Sequence, residues 1–257
     1  RQIQGQLLHL AKFFQDLHIE VSFLSEDQEL FELAQRHAVV LTDVRKPPPV
    51  SGLHFFAGDI ERVDSLKVAV LGTDSAVGKR TTAWKIVEGF EQAGYRAEMV
   101  GTGQTAWMQG ARYSIILDSL VNDFLSGEIE HAVYSAWREQ QPDVIVIEGQ
   151  GSLMNPAYPG GFEILAAGRP HAVILQHAPA RRDYDGFPGY PIQPIEHQIR
   201  AIEVVSGRRV VAVSVNHEGL DAAGVDAACA DITRETGLPA VDPLLHGADE
   251  LAAAVAR

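Results

Sequence analysis

The stretch Gly72-Thr73-Asp74-Ser75-Ala76-Val77-Gly78-Lys79 carries the clearest chemical signal in this sequence. It lies between a continuous apolar run, Lys67-Val68-Ala69-Val70-Leu71, and a segment with helical spacing. A glycine-rich turn at a strand–helix junction aims backbone N–H groups into a concavity at the helix N-terminus. The helix dipole attracts anions there, and a lysine adds a full positive charge. The expected chemistry is phosphate binding by a P-loop. The usual spacing is glycine, four residues, Gly-Lys, then serine or threonine; here five residues intervene and Arg80 follows the lysine. In P-loop enzymes that cleave phosphates, that hydroxyl holds Mg²⁺. Arginine cannot do so, although its planar fork binds phosphate bidentately. Thr81, one residue further on, is left as the substitute. A loop with Lys79 and Arg80 but no obvious metal hydroxyl suits a pyrophosphate that is held and never cleaved.

Other groups stand at the ends of strand-like runs, where a crevice above a sheet collects chemistry. Glu148 ends Val144-Ile145-Val146-Ile147. A carboxylate there either orders Mg²⁺ and its water or takes a proton from a substrate. His177 closes the run from Ala172 to Gln176 and is the second choice of base. The glycine-flanked backbone from Gly149 to Ser152 offers donors for an oxyanion. Gly101-Thr102-Gly103-Gln104-Thr105 follows another strand pattern and faces the same crevice, which makes Gln104, Thr105, Gln150 and Ser152 candidate substrate contacts. Arg112, Arg181 and Arg182 are candidate clamps for carboxylates or a further phosphate. The proline-rich run from Phe187 to Pro194 excludes regular structure and reads as a rigid wall or lid. Trp84, Trp107 and Trp137 lie on helix-like sequence and read as packing.

These groups need a scaffold, and the pattern supplies one. Helical spacing spans 80–93, closed by Gly94, then 113–140, 195–205 and 222–236; strand-like runs cover 67–71, 96–101, 143–148, 172–177 and 209–216. Alternating apolar strands and helices predict an α/β fold with a doubly wound parallel sheet. Upstream, 7–14 and 27–34 read as helix and 19–24 and 39–44 as strand, and the fragment ends at Arg45-Lys46-Pro47-Pro48-Pro49. The expected organisation is a small N-terminal domain over 1–46, a linker over 47–64 and a larger domain over 65–257. The chain opens on Arg1 within helix-like sequence, so further residues are expected upstream.

The 257 residues are 46% hydrophobic and 21% charged, ordinary for a globular protein. A net charge of −13 and a pI near 5.1 give no long-range attraction to nucleic acid or anionic membrane. Cys229 is the single cysteine, which excludes an internal disulfide and a cysteine-based zinc site and fits a reducing cytosol. No apolar run approaches the ~20 residues of a membrane helix, and no signal-peptide pattern follows Arg1. The expectation is a soluble cytoplasmic protein with a small-molecule substrate and no resident metal; self-association is left open.

The loop Gly-Thr-Asp-x-x-Val-Gly-Lys resembles that of dethiobiotin synthetase, which shares the extra residue. A longer ordered set resembles the D-glutamate N-acetyltransferase family of P-loop-fold proteins. It comprises Asp43 through Pro48, Gly72 through Thr82, Gly101 through Thr105, Glu148 through Leu153, Asn155 through Tyr158, and Gly186 through Ile192. This resemblance implies a truncated Rossmann-like N-terminal domain before a P-loop NTPase-like domain. It also implies acetyl transfer from acetyl-coenzyme A (acetyl-CoA) to an amino acid, D-glutamate first. The coenzyme's pyrophosphate would lie on Lys79, Arg80 and the loop amides, with a dicarboxylic acceptor near Glu148. Two alternatives stand beside it. One is an ATP-dependent ligase or kinase of the dethiobiotin synthetase type, with Thr81 and Glu148 serving Mg²⁺. The other is a nucleotide-sensing module without turnover.

Overall fold

A computed structural model of the chain describes residues 26–256. It divides after Pro47 into two compact units. In the smaller one the described residues form helix α1, Gln28–Arg36. Asp27 caps it by accepting from the Leu30 N–H at 3.0 Å, and Glu29 and Arg36 complement the helix dipole at its two ends. The helix expected at 7–14 and the strand at 19–24 lie outside the described residues. The expected strand at 39–44 does not form: the chain is irregular there and turns at Val44-Arg45. Val40 is exposed, so the apolar run has no buried face to hold it as a strand.

The larger unit alternates strand and helix throughout. In chain order it runs β1 Leu66–Gly72, α2 Lys79–Gln92, β2 Ala97–Gly101, α3 Gln104–Met108, β3 Tyr113–Ser114, α4 Leu125–Gln140 and β4 Val144–Glu148. Then follow α5 Phe162–Gly168, β5 Ala172–His177, α6 Ile195–Ser206, β6 Val210–Val215, α7 Ala222–Thr236, β7 Ala240–Val241 and α8 Asp249–Val255. All strand pairs are parallel, and the sheet order is β3-β2-β4-β1-β5-β6-β7. From β1 the chain runs out through β2 to β3, returns as β4 beside β1, and then runs the other way through β5, β6 and β7, so the crevice opens where β1 meets β4 and β5. Register then decides what sits there: Val70 pairs with Glu148, Gly72 with Gln176 and His177 with Val215.

Both faces of the sheet are covered, which is why its strands are apolar without alternation. Ala69, Leu71, Ile145, Ile147, Val173 and Leu175 pack under α4 to α7. Val68, Val70, Val144, Val146 and Ile174 pack under α2 and α8. The helix expected over 113–140 begins only at Leu125; before it come the edge strand β3 and two 3₁₀ turns, Leu117–Ser119 and Asn122–Phe124. Asp, Ser and Asn at 118, 119, 122 and 123 favour local turn bonds over helix, and Ser119 Oγ donates to the Ile116 carbonyl at 2.9 Å. Trp107 is largely exposed and does not pack as expected, whereas Trp137 donates its indole N–H to Asp64 at 2.5 Å. Four short elements, α3, α5, α8 and the two-residue β7, were not expected from the sequence.

Part of the stretch expected as a linker, 47–64, is integral to the larger unit. The Ala57 and Ile60 N–H groups donate to the two oxygens of Glu130 at 2.6 and 3.1 Å, and Ile60 is wholly buried. The His54 N–H donates to Glu128 at 2.7 Å, and the His54 and His131 rings stack with centroids 3.6 Å apart. Beneath this strap a Cβ on Gly127 would stand 1.9 Å from the His54 carbonyl oxygen. Gly127→Ala is therefore expected to lift the strap and destabilise the protein by about 1–3 kcal/mol. Thermal denaturation should show a Tm lower by several degrees, and an unchanged Tm would contradict the contact.

Candidate functional site

The turn between β1 and α2 depends on backbone that few residues tolerate. A Cβ on Gly72 would come within 2.9 Å of both Lys79 Cδ and Val77 Cγ2. Gly78 caps α2 with φ +106°, and Ala76 holds a left-handed φ of +51°, a conformation that costs an L-residue roughly 1–2 kcal/mol. Lys79 folds back under this turn and donates from Nζ to the Asp74 carbonyl at 2.8 Å. Burial lowers its pKa to about 8; Glu148 and Asp74 oppose that shift and Arg181 adds to it.

Asp74 is the knot of the loop. Its wholly buried carboxylate accepts on Oδ1 from the Ser75 N–H at 2.7 Å and Asn155 Nδ2 at 2.8 Å. On Oδ2 it accepts from Arg181 Nη1 at 2.9 Å and the Asp185 N–H at 2.8 Å. Four donors compensate the buried charge. Arg181, expected as a substrate clamp, also reaches the Ser75 carbonyl at 2.7 Å and Glu218 at 2.6 Å. Its guanidinium is committed to holding the loop. The base of the proline-rich wall and the Asn155 turn are thereby tied to one P-loop carboxylate.

A cavity of about 470 Å³ opens in front of the loop. Ser75, Ala76, Gly78, Lys79, Arg80 and Thr81 line one side, and Glu148, Gly149, Gln150 and Gly151 the other. Arg80 Nε is buried without a hydrogen-bond partner. Glu148 Oε2 accepts from the Thr102 N–H at 2.9 Å, while Thr102 Oγ1 donates to the Glu148 carbonyl at 3.1 Å and Gln150 Nε2 to the Thr102 carbonyl at 2.5 Å. The second glycine loop is thus clasped to the end of β4. Burial raises the Glu148 pKa, opposed by the Thr102 N–H and by the charges of Arg80 and Lys79. A carboxylate kept on the basic side of its range, in a walled cavity, is equipped to take a proton.

His177 differs. Its Nδ1 lies 2.9 Å from Thr73 Oγ1, and burial drops its pKa to about 4. Such an imidazole is neutral at pH 7 and a weak proton acceptor. It lies on the β5 side of β1, opposite β4 and Glu148.

Of the remaining residues singled out by type and spacing, Gln150 reaches the cavity. Gln104 and Thr105 begin α3 and do not line it. Arg112 and Arg182 are exposed and do not line it either. Ser152 turns inward: it is buried, and its N–H donates to the Tyr158 carbonyl at 3.2 Å. The segment that faces the cavity is therefore Gly149 to Gly151. Sequence reasoning missed Asn216, whose Nδ2 steadies the loop by donating to the Val77 carbonyl at 2.8 Å. It also missed Gln176, which with Ser214 holds the Thr82 hydroxyl. Both lie at strand carboxyl ends, the rule that singled out His177. Among the described residues no helix is long and apolar enough to cross a membrane.

Residues 54–252 match the family described as a domain of unknown function, the DUF1611 P-loop domain. The chain is similar to a protein named D-glutamate N-acetyltransferase from Tritonibacter scottomollicae, 31% identical over 91% of this chain and 70% of the relative. A second protein of that name, from a Pseudoalteromonas species, is 28% identical over 90% of this chain and 69% of its own length. The crystal structure of a DUF1611 family protein from Anabaena variabilis superposes with a TM-score of 0.84 at 30% identity, covering 91% of this chain and 68% of that one. A nucleotide-binding protein from Archaeoglobus fulgidus, solved in complex with ADP, superposes with a TM-score of 0.52 at 12% identity over 77% of this chain and 90% of its own, and shares the fold.

Phosphate affinity is expected to follow the charge on Lys79. Lys79→Ala removes a charge-assisted contact of roughly 1.5–3 kcal/mol, about 10- to 150-fold in affinity. With the lysine pKa near 8 in the free protein, calorimetric affinity for ADP should fall as pH rises from 7 to 9 and stay flat over that range in Lys79→Ala. A pH-independent wild type would show that Lys79 does not meet the phosphate.

Proposed function

The chain belongs to the DUF1611 P-loop family, and from that premise we propose that it is an N-acetyltransferase using acetyl-CoA, with D-glutamate as the first candidate acceptor. One observation carries this reading. Where phosphate-cleaving P-loops place a metal-binding hydroxyl, this chain places Arg80, with a buried, unpartnered Nε, beside Lys79 and across one cavity from Glu148. Cations fixed in the protein suit a diphosphate that is gripped and released intact. The names of the relatives supply the acyl group and the acceptor.

In this mechanism Lys79, Arg80 and the N–H groups of the loop hold the coenzyme's pyrophosphate, and the thioester arm enters the cavity. The acceptor amine attacks the thioester carbon as Glu148 takes its proton. A C–N bond forms, and the carbonyl oxygen gains negative charge in front of the Gly149–Gly151 backbone. The C–S bond then breaks, and the sulfur leaves as free thiol with the proton that Glu148 took, which returns Glu148 to its base form. The raised pKa of Glu148 makes it a better base than an exposed carboxylate, and its base form is lost as pH falls through that raised value. The ATP–Mg²⁺ alternative keeps one supporting fact: Thr81 lines the same cavity as Glu148.

Incubation with acetyl-CoA and a panel of D- and L-amino acids should release thiol with D-glutamate or a close analogue. The acidic limb of the kcat/KM profile should lie above that expected of an ordinary exposed glutamate and vanish in Glu148→Gln along with most activity. No thiol release across the panel would leave the ATP-dependent reading ahead.

Turnover should survive excess EDTA, and Arg80→Ser should raise the KM for acetyl-CoA without creating a metal requirement. Loss of activity in EDTA with recovery in Mg²⁺ would make Thr81 and Glu148 a metal site and end the intact-pyrophosphate mechanism.

A further inference from the structure

Thr102 is wholly buried and holds two side chains of the cavity through its own peptide groups. Its N–H donates to Glu148 Oε2 at 2.9 Å, and its carbonyl accepts from Gln150 Nε2 at 2.5 Å. Glu148 and Gln150 both line the cavity in front of the P-loop. A single residue of the second glycine loop therefore sets where the carboxylate and the carboxamide stand. Gly149, between them, is pressed against β1: a Cβ there would come within 2.3 Å of the Val70 carbonyl oxygen. The backbone that places Gln150 two positions beyond Glu148 has little freedom to move.

The bond to Thr102 also settles which way the Gln150 amide faces. A backbone carbonyl only accepts, so the NH₂ group is turned to it and Oε1 is left as the acceptor. An acceptor oxygen beside a general base has an evident use in acyl transfer to an amine. A neutral primary amine carries one lone pair and two N–H bonds. The lone pair forms the C–N bond and Glu148 takes one proton. The other proton stays on nitrogen and becomes the N–H of the product amide. Held by Glu148 alone, the amine could turn about that one hydrogen bond. A second acceptor fixes the direction of the lone pair, and both contacts strengthen as the nitrogen becomes positive.

We propose that Gln150 is a second catalytic residue, its Oε1 accepting the amine N–H that Glu148 leaves in place. This rests on the acetyl-transfer reading and adds a specificity to it. A secondary amine has one N–H, which Glu148 removes, so its extra substituent meets Gln150 and gains nothing from it. The site is thereby selective for primary amines.

The test measures thiol release from acetyl-CoA at pH 8.5 with D-glutamate and with N-methyl-D-glutamate, in wild type, Gln150→Ala and Gln150→Met. Calorimetric affinity for coenzyme A should stay within about twofold in both variants, which verifies the fold and the P-loop. For D-glutamate, kcat/KM should fall roughly 10- to 100-fold in both; Gln150→Met keeps the length of the side chain without its carbonyl. In Gln150→Ala the ratio of N-methyl-D-glutamate to D-glutamate turnover should rise by on the order of tenfold. An equal fall with both acceptors would leave Gln150 only a clasp for Thr102 and overturn the proposal. So would D-glutamate turnover that survives in Gln150→Met, or N-methyl-D-glutamate inert with wild type and Gln150→Ala alike. A rise in KM for acetyl-CoA that is the same with either acceptor would place Oε1 on the coenzyme instead and overturn it too. No thiol release from wild type with any amino acid would remove the acetyl-transfer reading itself.

Discussion

Lys79 is a charge held almost entirely out of water, and the loop around it exists on that condition. An unpaired ammonium in such a place is costly, so the chain surrounds it with the Asp74 carbonyl and the nearby carboxylates of Asp74 and Glu148. Asp74 is buried in turn and is neutralised by Arg181 and three further donors. Breaking such a pair by removing one partner typically costs about 3–5 kcal/mol. The same requirement fixes Gly72, where a side chain would strike Lys79 and Val77. It also couples loops far apart in sequence to the phosphate site.

The second consequence is a difference between two sides of β1. Strand order puts β4 with Glu148 on one side and β5 with His177 on the other. Burial acts on both groups with opposite results, because desolvation disfavours whichever form is charged. It makes the carboxylate a stronger base and the imidazole a weaker one. Glu148 and His177, the first and second choices of base by strand-end position, are thus separated by strand order and by electrostatics together. The clasp of Thr102 and Gln150 on the end of β4 fixes where the Glu148 carboxylate stands.

Much of this was legible in sequence because local pattern and tertiary role agree. Val144 to Glu148 reads as a strand covered on both faces, and it is one. Asp221 and Gly237 bracket α7 with a capping side chain and a left-handed C-cap. The glycine loop is legible because its geometry is local. The failures share a different cause. Arg181 meets Asp74 across 107 positions, and Glu130 receives the Ala57 N–H across 73, so neither partnership leaves a local trace. Arg112 and Arg182 carry the right charge, but the fold decides where a long side chain ends. Between Tyr113 and Phe124 helical spacing competed with turn-forming side chains, and the turns won.

In the proposed mechanism the loop grips a diphosphate and leaves it whole while chemistry happens across the cavity. Phosphorus NMR of the protein turning over acetyl-CoA and D-glutamate, without added metal, addresses it directly. The coenzyme's diphosphate resonances should shift or broaden on binding, and no inorganic phosphate should appear as acetyl transfer runs to completion. Unperturbed diphosphate resonances during turnover, or growth of an orthophosphate signal in step with product, would contradict it.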